Sequence, residues 1–127
     1  MSAPAHILLV EDDDHIAFLL KFMLERESYT TEHAGDGLLA RTRIESGAPP
    51  DLVLLDVMLP HVDGFELVRI IRATAGWETV PVIMLTAKTQ EADIVRALDA
   101  GANDYIVKPF QPNALQARVR RYLTARA

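Results

Sequence analysis

Five strand-like runs, each followed by a stretch of helical spacing, constrain the fold of this chain more than any other feature. The runs are HILLV (6–10), YTTEHA (29–34), DLVLLD (51–56), VPVIMLT (80–86) and DYIVK (104–108). After the first, Ile16, Leu19, Leu20, Met23 and Leu24 recur at the period of one helix face. Residues 37–46 read as a second helix, with Asp36 as its cap and Gly47 as its stop. Asp63 and Glu66 have capping-box spacing and open a helix that carries Phe65, Val68 and Ile71 on one side. Residues 90–100 predict a fourth helix, with Ile94 and Leu98 inward and Gly101 ending it. Pro112 suits the first turn of a last helix, where Leu115, Val119, Tyr122 and Leu123 repeat. The second run, rich in Thr and Tyr, reads as a weaker edge strand. The other four are nearly continuous apolar segments, as expected where helices cover both faces of a sheet. Such alternation predicts an α/β, doubly wound, five-stranded parallel sheet with five helices. At 127 residues, half of them hydrophobic, the chain suits one domain, 1–127, structured over about 5–124.

Ligands of doubly wound sheets bind beyond the carboxyl ends of the strands, so those ends are where chemistry is expected. The first run leads into Glu11, Asp12, Asp13 and Asp14. The third ends at Asp56, the fourth at Thr86, and the fifth at Lys108, followed by Pro109. Asp56 closes an apolar run and is expensive there unless paired. Asp13 and Asp14 are explained equally well as helix capping. Glu11 and Asp12 are not, because they still belong to the strand end. With Asp56 they would repel one another, and a hard cation with oxygen ligands, Mg²⁺, would resolve that repulsion. Thr86 has an alternative reading as the cap of the next helix, and Lys108 as an ordinary surface lysine. A lysine between an apolar strand and a proline that can adopt cis is well placed to reach Asp56.

The net charge of −5 argues against phosphate-backbone binding by this domain itself. The chain has no cysteine, which excludes disulfides, thiolate metal sites and cysteine nucleophiles. No apolar run approaches the roughly 20 residues of a membrane span. MSAPAH lacks a signal-peptide pattern, so a cytoplasmic location is expected. The four histidines, at 6, 15, 33 and 61, are scattered without metal-ligand spacing. Met1 reads as a natural N-terminus, and whether an output domain follows Ala127 stays open.

The strand-end constellation resembles the receiver domain of bacterial two-component response regulators over about residues 5–124. DVMLPHVDG (56–64) matches the pattern of a phospho-acceptor Asp with Pro four and Gly eight residues on. LLVEDD (8–13) matches the first acidic site, LTA (85–87) the hydroxyl residue, and DYIVKPF (104–110) the switch aromatic and Lys-Pro pair. Thirty residues separate Asp56 from Thr86, and twenty-two separate Thr86 from Lys108, which also fits. The resemblance implies a flavodoxin-like sheet of order 2-1-3-4-5, as in the chemotaxis response regulator CheY. It implies that Asp56 takes a phosphoryl group from a sensor histidine kinase or a phosphotransfer protein, without the chain being an enzyme in its own right. Mg²⁺-dependent self-phosphorylation and autodephosphorylation are expected. Glu11, Asp12, Asp56 and the backbone carbonyl of Met58 would hold the Mg²⁺. Lys108 would offset phosphoryl charge, and Thr86 and Tyr105 would carry the switch to the fourth helix, fifth strand and fifth helix.

The tail KPFQPNALQARVRRYL resembles receivers of the OmpR/PhoB type, which precede winged-helix domains and dimerise through that same face. Asp99, Asp104, Arg118 and Arg120 are compatible with that charge-paired dimer. Ile94 stands where Arg is usual and Ala114 where Glu is usual, so a phosphorylation-dependent homodimer here would use a more hydrophobic contact. A stand-alone receiver is the other possibility. Three rivals have less support. An FMN binder of the same fold would place EDDD against phosphate. A haloacid-dehalogenase-type phosphatase needs D-x-D on its nucleophile loop, where this chain has Asp56-Val57-Met58. A phosphorylation-independent binding module would not need the intact set Glu11, Asp12, Asp56, Thr86 and Lys108.

Overall fold

The computed structural model describes residues 3–88 and 90–125; the extreme ends of the expected 1–127 domain lie outside these. The elements alternate without exception: β1 (His6–Val10), α1 (Asp14–Arg26), β2 (Thr30–Ala34), α2 (Gly37–Ser46), β3 (Leu52–Leu55), α3 (Gly64–Ala73), β4 (Val82–Thr86), α4 (Glu91–Ala100), β5 (Asp104–Val107) and α5 (Pro112–Ala125). The five strands form one sheet in the order β2-β1-β3-β4-β5, and every pairing is parallel. All the strands but β1 are shorter than the runs that announce them. Pro81 shows why. It has no N–H to give the ladder and contributes only its carbonyl, to Val53 N at 2.9 Å.

Side chains alternate across the sheet and divide the core in two. Leu8, Val10, Val53, Leu55, Val82 and Met84 face α2, α3 and α4. Ile7, Leu9, Leu52, Leu54, Ile83 and Leu85 face α1 and α5, where they meet Leu20, Leu24, Leu115 and Val119. Both faces are apolar, so the runs carry no polar alternation.

Helix starts follow the sequence closely. Asp13 caps α1 by accepting from His15 N and Ile16 N, Asp36 caps α2, and Asp63 caps α3 through Glu66 N at 2.9 Å. Only half of the expected capping box forms, because Glu66 turns toward Arg69, 3.7 Å away. Gly101 ends α4 in the left-handed region, at φ 114°, which suits a residue without Cβ.

Two inward assignments need correction. Leu98 is 48% exposed, and Ala97 is the buried residue of α4. The true inward position is three residues beyond Ile94, not four, and a methyl side chain there permits close packing. Leu19 is likewise 46% exposed, while Ala17 takes the buried place on α1. Trp77 is among the largest fully buried side chains and has no periodic neighbours to announce it. Its indole N–H donates to the Gly47 carbonyl at 3.1 Å, and Arg43 stacks over its ring.

Candidate functional site

Beyond the last ladder residues, the backbone continues to align the strand ends. Asp56 N donates to Val10 O at 3.0 Å, and Lys108 N donates to Thr86 O at 2.8 Å. These bonds bring Glu11, Asp12, Asp56, Thr86 and Lys108 to one edge of the sheet, from four different strands. The loop after Asp56 is pressed against the start of α3. Gly64 N donates to Val57 O, and a Cβ at Gly64 would run into the Asp56 carbonyl and Val57 Cα. Glycine here is a close-approach requirement set by the loop that carries Asp56.

Asp56 is 7% exposed and Glu11 3%, whereas Asp12 is exposed. Each offers a carboxylate oxygen, and all three atoms lie within 4.8 Å of one another. Lys108 Nζ donates to Glu11 Oε1 at 2.6 Å and to Asp56 Oδ2 at 2.8 Å. The other Asp56 oxygen accepts from Met58 N at 3.0 Å. Burial pushes the Glu11 carboxyl above its usual range, and the charge of Asp56 adds to this while Lys108 opposes it. For Lys108 burial works against the ammonium, but its bonds to Asp56 and Glu11 outweigh that and hold its pKa above the usual value. Among the described residues Lys108 is the one cation paired with this group of three carboxylates, through Glu11 and Asp56. The donor set is all oxygen, close-spaced and under-neutralised, which fits a hard divalent cation.

Thr86 is fully buried and does not cap α4; Gln90 occupies the cap position without a side-chain bond. The Thr86 hydroxyl accepts from Lys88 N at 3.3 Å. The Lys88 carbonyl in turn accepts from the Tyr105 hydroxyl at 2.7 Å. The backbone of one residue, Lys88, thus links the two through its N–H and its carbonyl. Burial, with the charges of Asp93 and Asp56, raises the Tyr105 pKa. The Lys108–Pro109 peptide is cis. Asp13 is occupied as the α1 cap. One contact had no signal in the sequence: His33 Nε2 lies 2.6 Å from the Glu11 carbonyl, which can only accept, so Nε2 carries a proton.

The interface candidates do not all assemble. Asp104 receives Arg118 on both oxygens at 2.8 Å within the chain. Ile94 is half-buried, and Asp99 and Ala114 are exposed. Arg120 stands apart, 3.9 Å from Glu27 at the end of α1.

The family profile of the response regulator receiver domain matches residues 7–120. The chain belongs to this family. It is a receiver domain, the phospho-accepting part of a two-component response regulator. It is 48% identical over 117 residues to the DNA-binding response regulator MtrA of Mycobacterium leprae, covering 92% of this chain and 50% of that protein. It is 44% identical over 123 residues to the transcriptional regulatory protein CseB of Streptomyces coelicolor, covering 97% of this chain and 51% of that protein. The receiver thus spans about half the length of the curated relatives it matches. Its fold superposes with TM-score 0.87 and 36% identity on the receiver domain of sensor histidine kinase PA1611 from Pseudomonas aeruginosa, covering 96% of this chain and 99% of that one. That crystal structure has a magnesium ion coordinated in the active site cleft. Among the described residues no helix is long and apolar enough to cross a membrane.

Proposed function

We propose that Asp56 is the phospho-acceptor of a Mg²⁺-dependent switch. The observation that carries this is the Asp56 carboxylate at the sheet edge, with Lys108 on one oxygen and two further carboxylates within ion-binding distance. Glu11, Asp12, Asp56 and the Met58 carbonyl would hold Mg²⁺. When bound, it supplies charge neutralisation to the phosphoryl oxygens. The chain's own residues do the rest. One Asp56 oxygen forms a bond to phosphorus as the bond to the donor's imidazole nitrogen breaks, the electron pair returning to that nitrogen. Lys108 stays within reach of the new phosphoryl oxygens and offsets their charge. Such transfers rest on positioning and electrostatics and need little acid–base work from the protein.

The Thr86 hydroxyl accepts from Lys88 and still has its own proton to donate to a phosphoryl oxygen. Drawing Thr86 toward the site shifts the backbone of Lys88, whose N–H meets Thr86 and whose carbonyl holds the Tyr105 hydroxyl. Tyr105 then repositions, and the face formed by α4, β5 and α5 changes, with a homodimer through that face as one readout. A sensor histidine kinase or phosphotransfer protein is the donor, and the domain works in the cytoplasm without touching nucleic acid itself. Residues 1–127 act as one unit in this reading.

Incubation with acetyl phosphate and Mg²⁺, followed by intact-mass measurement, tests it. One phosphoryl group is expected on the wild type and none on Asp56→Asn. An adduct that persists in Asp56→Asn would refute the assignment.

A further inference from the structure

A cleft of about 440 Å³ opens beside Asp56, and Asp12, Met58, Phe65, Lys88 and Arg96 are among the residues lining it. Asp12 and Asp63 give it carboxylates, and Lys88 and Arg96 give it cations. Lys88 has a loose carboxylate partner, Asp93 at 3.9 Å. Arg96 has none: among the described residues its guanidinium pairs with no carboxylate. It lies instead over the Phe65 ring, 4.2 Å from the centroid. Phe65 is itself buried in the first turn of α3, next to the Gly64 contact that fixes the Asp56 loop. The cation is therefore held against α3, whose start packs on the Asp56 loop, and among the described residues its hydrogen-bonding edge has no partner, because stacking uses only the flat face.

In-line displacement at phosphorus puts the leaving group opposite the attacking oxygen. Asp56 is buried, so the leaving group points toward solvent, and this cleft is lined by the two residues that flank the acceptor, Asp12 and Met58. We propose that Arg96 is a positioning residue for low-molecular-weight acyl phosphates, receiving the carboxylate that departs as Asp56 is phosphorylated. This rests on Asp56 being the acceptor. The Asp56 oxygen bonds to phosphorus as the bridging P–O bond breaks. The electron pair leaves with the carboxylate, and no proton changes hands. A guanidinium fork matches a carboxylate in both charge and shape.

The test compares two donors on the wild-type chain, Arg96→Gln and Arg96→Lys, by time-resolved intact mass in saturating Mg²⁺. Acetyl phosphate expels a carboxylate, whereas phosphoramidate expels neutral ammonia. Arg96→Gln is expected to slow acetyl phosphate about fivefold, the upper range for one solvent-exposed charge pair, and to leave phosphoramidate nearly unchanged. Arg96→Lys restores part of the rate. Arg26→Gln, a remote cation stacked on Phe22, is the control expected to match wild type with both donors. Equal slowing of both donors would mean that Arg96 only shapes the cleft, and no slowing would mean that it does not meet the donor; either overturns the proposal. No adduct on wild type would instead remove the Asp56 assignment, and this proposal with it.

Discussion

Lys108 and Asp56 stand fifty-two residues apart in the chain and 2.8 Å apart in space. Glu11 shares the same ammonium at 2.6 Å. Removing Lys108 leaves two buried carboxylates facing each other with no cation. Breaking fully enclosed ion pairs costs about 3–5 kcal/mol. This site opens on one side, so Lys108→Ala is expected to lose about 2 kcal/mol in urea unfolding without Mg²⁺. The loss should shrink when Mg²⁺ is added, because a bound cation takes over part of the neutralisation. A loss that ignores Mg²⁺ would mean the carboxylates do not share the ion.

The reverse change should be mild. Asp56→Asn keeps one acceptor oxygen, enough for Met58 N, gives up the second one that receives Lys108, and removes one negative charge beside Glu11, which still holds the ammonium. Burial and Asp56 together raise the Glu11 pKa, so the ionised apo site carries repulsion that this variant relieves. In EDTA the melting temperature is expected to stay level or rise by a few degrees, roughly the effect of up to 1 kcal/mol in a domain this size. A clear drop would show that attraction to Lys108 outweighs the repulsion.

How much of this was legible in the sequence depended on whether the backbone or the side chains set the answer. Apolar runs fix where strands end, so Asp56, Thr86 and Lys108 could be placed on one edge from their position in those runs. Asp13 as cap and Glu11 with Asp12 as the acidic pair followed from which residues still belonged to the strand. Contacts across the fold were not legible. Nothing local ties Lys108 to Glu11, ninety-seven residues away, or His33 to the Glu11 carbonyl. Trp77 lies in a loop, where periodicity has no purchase, and α4 was read one residue out of phase because Ala97 is too small to register as core.

Gly64→Ala probes the support of the Asp56 loop. The added methyl would meet the Asp56 carbonyl and Val57 Cα, both backbone, so neither can rotate away. Destabilisation of about 1–3 kcal/mol is expected from such overpacking. Phosphorylation by acetyl phosphate should also slow at temperatures where the variant is fully folded, because the loop carrying Asp56 and Met58 has to shift. Normal kinetics in the folded variant would show that α3 does not position the loop.

A pH test separates scaffold from site. Glu32 accepts from Arg43 at 2.8 and 2.9 Å and contacts His6, and the Arg43 bonds are the main cause of its lowered pKa. The native state therefore keeps Glu32 ionised below its ordinary value of 4.5. Its contribution is full above 4.5 and is lost as pH falls through the lower native value. The stability gap between wild type and Glu32→Gln should be present just above 4.5 and close below it. A gap that persists at the lowest pH would assign the effect to packing of Arg43 on Trp77.

The face proposed to read out the switch yields the last prediction. Ile94 is half-buried on α4, and its neighbours Val95 and Leu98 are each 48% exposed, while Ala114 on α5 offers no charge. Asp104 and Arg118 already satisfy each other within the chain, so a charge-paired dimer would first have to break that contact. Apolar contact through Ile94 costs no such exchange. Ile94→Arg is therefore expected to weaken phosphorylation-induced self-association about tenfold, near the effect of 1.4 kcal/mol, in sedimentation velocity with acetyl phosphate and Mg²⁺. Asp104→Asn should change it little, since Asp104 is spent internally. Unaltered association of Ile94→Arg, together with loss in Asp104→Asn, would show instead that the pair opens and that charge, not the apolar patch, holds the two copies together.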